Sequence, residues 1–91
     1  MELKAYKITV KGRVQGVWFR KYTKDKADSL LLKGFVMNKP NGDVYIEVEG
    51  DNLVLNEFIN WLYIGSPLCE VSEVIYTEID IQSFDVFMVK R

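Results

Sequence analysis

The sequence predicts an α+β sandwich, an antiparallel sheet with two helices on one face, and three observations lead to it. Two stretches carry apolar residues at spacings of three and four; others alternate apolar and polar residues; and the patterns follow the order strand, helix, strand, strand, helix, strand, with room for an extra C-terminal strand. Ninety-one residues, 48% of them hydrophobic, suffice for one small core, and a single domain over residues 1–91 is expected.

The first strand is expected over Leu3 to Val10, followed by a loop from Lys11 to Trp18. Phe19, Thr23, Ala27 and Leu30 then recur on one face of a first helix, which makes Thr23 a buried residue. Val36 belongs to a second strand. Asn41-Gly42 is a two-residue hairpin signal that leads into Val44-Tyr45-Ile46-Glu47-Val48-Glu49, an alternation suited to a half-buried strand. Asp51 or Asn52 can cap the second helix; Val54, Phe58, Trp61 and Leu62 line one side of it, and Gly65 and Pro67 end it. Val71 to Ile81 and Phe84 to Val89 read as closing strands. Glu47, Glu49 and Asp51 read as a solvated strand edge and helix cap. The order is that of the ferredoxin-like βαββαβ sandwich. That architecture carries many unrelated functions, so function has to come from particular residues.

Composition removes several classes. Twelve Lys and Arg against thirteen Asp and Glu leave a net charge of −1, so no basic field exists to gather nucleic acid or to coat an anionic membrane. Any anion must be held locally. Cys69 is the one cysteine and histidine is absent, which leaves no disulfide framework and no usual zinc pattern. Cys69 reads as an inert, small apolar residue. The N-terminus lacks a charged segment followed by an apolar one, and no apolar run approaches the roughly 18 residues of a membrane span. A soluble, cytoplasmic protein is expected.

The chemistry concentrates in Gly12-Arg13-Val14-Gln15-Gly16-Val17-Trp18-Phe19-Arg20, a glycine-relaxed loop between a strand and a helix with an arginine in the helix's first turn. Such a loop can aim several N–H groups at one point, the helix start adds unsatisfied donors, and a guanidinium offers a fork matched to phosphate oxygens. The spacing fits neither the nucleotide-binding loop G-x-x-x-x-G-K-[ST] nor the dinucleotide fingerprint G-x-G-x-x-G. On local evidence a tight turn whose arginine merely solvates a surface is an equal reading. Adjacent Trp18 and Phe19 are expected to split, one entering the core and one staying outside.

Together with the block Lys33-Gly34-Phe35-Val36-Met37-Asn38, the hairpin at Pro40-Asn41-Gly42-Asp43, and Gly65-Ser66-Pro67 with Val71 and Val74 beyond it, this loop resembles the acylphosphatase family. Leu31 stands where the family commonly has a glycine closing the first helix, Phe35 where it commonly has Trp, and Met37 where Arg is frequent. The departures touch helix termination and the rim of the site, not the chemistry. The resemblance implies hydrolysis of a small acyl phosphate to carboxylate and inorganic phosphate, the phosphate also acting as an inhibitor. It implies catalytic roles for Arg20 and Asn38: Arg20 with the backbone N–H groups of Gln15, Gly16, Val17, Trp18, Phe19 and Arg20 itself would grip the phosphoryl group, and the Asn38 amide would orient the attacking water. No cofactor or metal is implied, and a monomer is expected. Without the resemblance, Asn38, three residues before Asn41-Gly42, reads better as a turn residue.

Two alternatives belong to other classes. Lys33-Gly34-Phe35-Val36 superficially resembles an aromatic RNA-binding strand motif, but it falls on the second strand instead of the third, lacks the following aromatic, and sits in a chain of the wrong charge. The stronger alternative is a catalytically idle phosphate-binding or regulatory module of the same fold.

Overall fold

Alternation sorts the strand residues: Val44, Ile46 and Val48 on one strand and Ile8 and Val10 on its neighbour turn one way into the core. The computed structural model describes all 91 residues. It contains β1 (Leu3–Arg13), α1 (Phe19–Ser29), β2 (Lys33–Asn38), β3 (Val44–Asp51), α2 (Asn52–Leu62), β4 (Glu70–Ile79) and β5 (Phe87–Val89) in one sheet of order β4-β1-β3-β2-β5. Both helices lie over the apolar face. α1 contributes Phe19, Thr23 and Ala27, as their spacing requires, and α2 contributes Leu55, Phe58, Ile59 and Leu62. Val54 and Trp61 are only partly buried, so the inward face of α2 is rotated from the expected one toward Leu55 and Ile59.

The expected antiparallel sheet holds for four strands and fails for the fifth, since β5 pairs parallel with β2 from Gly34–Phe87 to Val36–Val89. The reason is topological. β4 ends at the end of the sheet where β2 begins, and residues 80–86 carry the chain across to the far edge, so β5 can only run alongside β2 in the same direction. The closing strands are correspondingly shorter than expected: Ile81 and Phe84 belong to the crossing segment.

Two further boundaries differ for local reasons. β1 continues past Val10 to Arg13 because a bulge between Lys11 and Gly12 lets Gly12 and Arg13 go on pairing with β4. Gly12 has φ 126°, and a Cβ there would lie 2.2 Å from the Glu70 carbonyl oxygen, so this glycine serves strand pairing. The hairpin between β2 and β3 spans residues 39–43 instead of two. The Gly42 N–H donates to the Lys39 carbonyl (3.2 Å), which puts Pro40 and Asn41 at the turn's centre, with Gly42 following at φ 97°. Proline's fixed φ favours that arrangement over an Asn-Gly turn.

The acidic cluster also divides. Asp51 precedes α2 without a side-chain cap, and Glu49 is buried at 7% exposure rather than solvated. The crossing segment covers it: Glu49 accepts the N–H groups of Gln82 (2.8 Å) and Phe84 (2.6 Å), and Phe84 packs edge-on against Phe35. Phe35 is further covered by the Lys90 ammonium, 3.9 Å from its ring centre. The aromatic of the Lys33-Gly34-Phe35-Val36 block is therefore buried and not presented for stacking.

Candidate active site

The site forms where β1 hands over to α1. Val14, Val17 and Phe19 are buried and pin the loop from inside, which leaves Gly16 and Trp18 facing outward. Phe19 and Trp18 do split, at 1% and 71% exposure. Gly16 has φ 74° and Trp18, the residue capping α1, has φ 64° and ψ 18°. Left-handed residues spaced in this way turn successive N–H groups toward one concave side. A hypothetical Cβ on Gly16 would touch nothing, so the dihedral alone calls for glycine there. From Gln15 to Lys21 no N–H donates to any backbone carbonyl; the first helical bond runs from Tyr22 to the Trp18 carbonyl (3.1 Å). A run of free donors thus meets the positive end of the α1 dipole.

Arg20 stands in the first turn beside this run, half-buried, with Nη1 donating to the Lys90 carbonyl (3.2 Å). One contact tethers the guanidinium and the remaining donors stay free. Asn38, the last residue of β2, lines the same cavity of about 560 Å³. Its Oδ1 is buried and without a hydrogen-bond partner, a costly state for an amide oxygen in a protein interior. The turn is served by Asn41 instead, whose Oδ1 accepts the Asp43 N–H (3.0 Å) and whose Nδ2 donates to the Asp43 carboxylate (3.1 Å). A turn role for Asn38 therefore has no contact behind it.

Of the residues expected in the cradle, Gly16, Trp18, Phe19, Arg20 and Asn38 line one cavity. Val17 sits behind it in the core, so only its backbone can contribute. Gln15 does something the sequence did not suggest: its Nε2 donates to the carbonyls of Lys39 (2.8 Å) and Asp43 (2.9 Å), tying the loop to the hairpin that follows Asn38. A second tie joins Lys11 to Asp43 at 2.8 Å, and this hydrogen bond, then the carboxylate charge, raises the Lys11 pKa above its ordinary value. Loop and hairpin are held together from both sides. The lining also includes Val14, Lys21, Lys24, Val89 and Arg91, none of them foreseen. No Asp or Glu is among them. Lys21 and Lys24 pair with Asp25 (2.8 Å) and Asp28 (2.6 Å) one helical turn on. Arg20 and Arg91 are the lining cations outside these pairs, in a chain of net charge −1. Elsewhere, no cluster of three or more His, Cys, Asp or Glu side chains is arranged to hold a metal ion, and no helix is long and apolar enough to cross a membrane.

A free-donor loop, an arginine at a helix start and Asn38 thus meet at one cavity. Comparison with known proteins agrees. The acylphosphatase family model matches residues 6–89. The acylphosphatase of Thermotoga maritima is 42% identical over 88 residues, covering 97% of this chain and 98% of that one. The crystal structure of the acylphosphatase from Bacillus subtilis superimposes with a TM-score of 0.95 at 35% identity, over 99% of this chain and all of that one. The chain is also similar to 12% of the HypF protein of T. kodakarensis, with a TM-score of 0.86 and 34% identity. With the fold, the loop and near full-length similarity in agreement, the chain belongs to the acylphosphatase family.

Proposed function

We propose that the chain, working as one domain, hydrolyses small acyl phosphates by metal-free attack of a positioned water, with Arg20 and Asn38 as its catalytic side chains. The leaving group is a carboxylate with a conjugate-acid pKa of ~4 to 5, so it departs unprotonated and needs no general acid. A chain without histidine suits this reaction better than most others. The phosphoryl oxygens are held by the N–H groups of Gln15, Gly16, Val17, Trp18, Phe19 and Arg20 and by the Arg20 fork. The Asn38 amide orients the attacking water and holds it in line with phosphorus. The water's oxygen bonds to phosphorus, the bond from phosphorus to the acyl oxygen breaks with its electron pair going to the carboxylate, and the water's proton ends on phosphate or solvent. Inorganic phosphate, the product, fits the same cradle and inhibits.

The observation that carries this reading is the run of free N–H donors from Gln15 to Lys21 meeting Arg20 on the wall of a cavity that Asn38 also lines. The similarity to a small part of HypF keeps an idle phosphate-binding module as the second reading. Incubation with acetyl phosphate, with and without chelator and added phosphate, separates the two. Chelator-resistant loss of the anhydride that phosphate slows supports the hydrolase, and phosphate binding without turnover supports the module. The same reading takes the protein as a cytoplasmic monomer.

A further inference from the structure

Glu49 lies on the sheet face away from the helices, paired across β3 with Ala5 and Lys33, at the opposite end of the sheet from the site. It lies five steps along β3 from Val44, the partner of Asn38, roughly 17 Å at about 3.4 Å per residue. Its carboxylate is buried yet pairs with no lysine or arginine. Its two oxygens instead accept the N–H groups of Gln82 and Phe84, each oxygen one, which is how a buried carboxylate without a cation can be satisfied. Ser83, at φ 60°, makes the bend that aims both N–H groups the same way.

The segment pinned in this way has few other anchors. Asp80 to Ser83, Asp85 and Val86 are exposed, and only Phe84 packs, against Phe35. The strand it leads into is a three-residue edge strand, flanked by bonds from the Gly34 N–H to the Val86 carbonyl (3.0 Å) and from the Lys90 N–H to the Val36 carbonyl (2.8 Å). That strand ends at the site: Val89 and Arg91 wall the cavity and the Lys90 carbonyl accepts from Arg20. A continuous set of contacts therefore runs from Glu49 through Gln82 and Phe84 to β5 and on to Arg20.

We propose that Glu49 is a positioning residue for catalysis, its carboxylate setting the crossing segment and β5 so that the Lys90 carbonyl holds Arg20 in its working orientation. The proposal rests on the role given to Arg20 above. Releasing the segment frees the end of β5 and with it the guanidinium, and a misplacement of that kind lowers rates by ten- to a hundredfold.

The test is a mutant cycle on the full chain, with Glu49→Gln, Glu49→Ala, Arg20→Ala and the combined variants. Rates are measured on acetyl phosphate, binding is measured with inorganic phosphate, and amide exchange is followed from Gln82 to Lys90. Gln keeps one acceptor and the shape of the side chain, so it carries the test should Ala fail to fold. The expected result is faster exchange over Gln82 to Lys90, a tenfold or greater fall in kcat/KM with weaker phosphate binding, and no further loss when either Glu49 variant is added to Arg20→Ala. A core variant chosen for an equal loss of stability, Leu55→Val, should leave the rate nearly unchanged, which a merely structural Glu49 would match. Full activity in a folded Glu49 variant, or losses that multiply with those of Arg20→Ala, overturns the positioning role while leaving the hydrolase reading intact. Near-normal activity of Arg20→Ala alone overturns the hydrolase reading of Arg20 and the positioning role with it.

Discussion

Leu31 closes α1 in a conformation that leucine resists, and replacing it with glycine should stabilise the protein. Its φ is 58°, the Leu32 N–H donates to the Ala27 carbonyl (2.9 Å) and the Leu31 N–H to the Asp28 carbonyl (3.1 Å), the paired bonds of a Schellman cap. The left-handed region costs a residue with a Cβ about 1–2 kcal/mol. Glycine removes that cost but makes the unfolded chain freer, by about 0.5–1 kcal/mol. The leucine side chain is 79% exposed, so little packing is lost, and the apolar contact of the cap belongs to buried Leu32 and Ala27. Leu31→Gly should therefore gain roughly 0.5–1 kcal/mol. For 91 residues unfolding with about 2.1 cal/mol/K each, that is a rise in Tm of roughly 3–5 °C. Urea titration with an unchanged slope and a higher midpoint would agree. Leu31→Asn should fall between parent and glycine, and Leu31→Ala, which keeps the Cβ, should gain almost nothing. If glycine gives no gain, the cap is not strained; if alanine matches glycine, the benefit comes from removing an exposed leucine and the dihedral argument fails.

Arg20→Ala should lose on the order of a hundredfold to several thousandfold in the rate of acyl phosphate hydrolysis, and Arg20→Lys should recover little, because an ammonium lacks the fork; steady-state kinetics on the folded variants checks both. Asn38→Ala should bind phosphate about as well as the parent, keep KM within about a few-fold and lose on the order of a hundredfold in kcat, while Asn38→Asp should also be poor because its charge opposes the phosphoryl oxygens. Inorganic phosphate should raise Tm by mass action, chelator should change neither Tm nor rate, and the phosphate effect should vanish in Arg20→Ala. Tyr45, desolvated and donating to Glu47 at 2.7 Å, has its phenol pKa pushed up to about 12. The unfolded chain ionises first, near 10, so its contribution is intact below that pH and is lost as pH rises toward 12; Tyr45→Phe should flatten that part of the alkaline stability limb, as denaturant titrations across the range would reveal.

What could be read from the sequence was local. Phe19, Thr23 and Ala27 declare a helix face by spacing alone, and Gly16 and Arg20 declare a loop followed by a helix start, so the position of the donor run follows from some ten consecutive residues. What could not be read depends on partners far along the chain. Glu49 alternates with Val48 as a solvated residue would, and only residues 82–84, more than thirty positions later, bury it. The Lys90 carbonyl that receives Arg20 is a backbone group, which any residue could supply, and the direction of β5 depends on which end of the sheet β4 reaches. Gln15 was expected to contribute its N–H, and its side chain escaped notice because both acceptors are carbonyls of the hairpin.

Backbone strain by itself does not mark the site in this protein. Trp18 and Leu31 are both left-handed, at φ 64° and 58°, one at the start of α1 and one at its end, and both side chains are largely exposed. The difference lies in what surrounds them. At Leu31 the bend sends its N–H groups back to the carbonyls of the helix it closes, so these donors are satisfied internally and the conformation is only a cost. At Trp18 the bend leaves donors unused, beside a cavity that Asn38 also lines. Unused donors beside a cavity persist against their own cost where a ligand completes them, and strain becomes informative only in that company. By this criterion the donor run and Arg20, with Asn38 on the same cavity wall, are where the proposed chemistry is to be tested, and Leu31 is a departure that can be repaired without touching them.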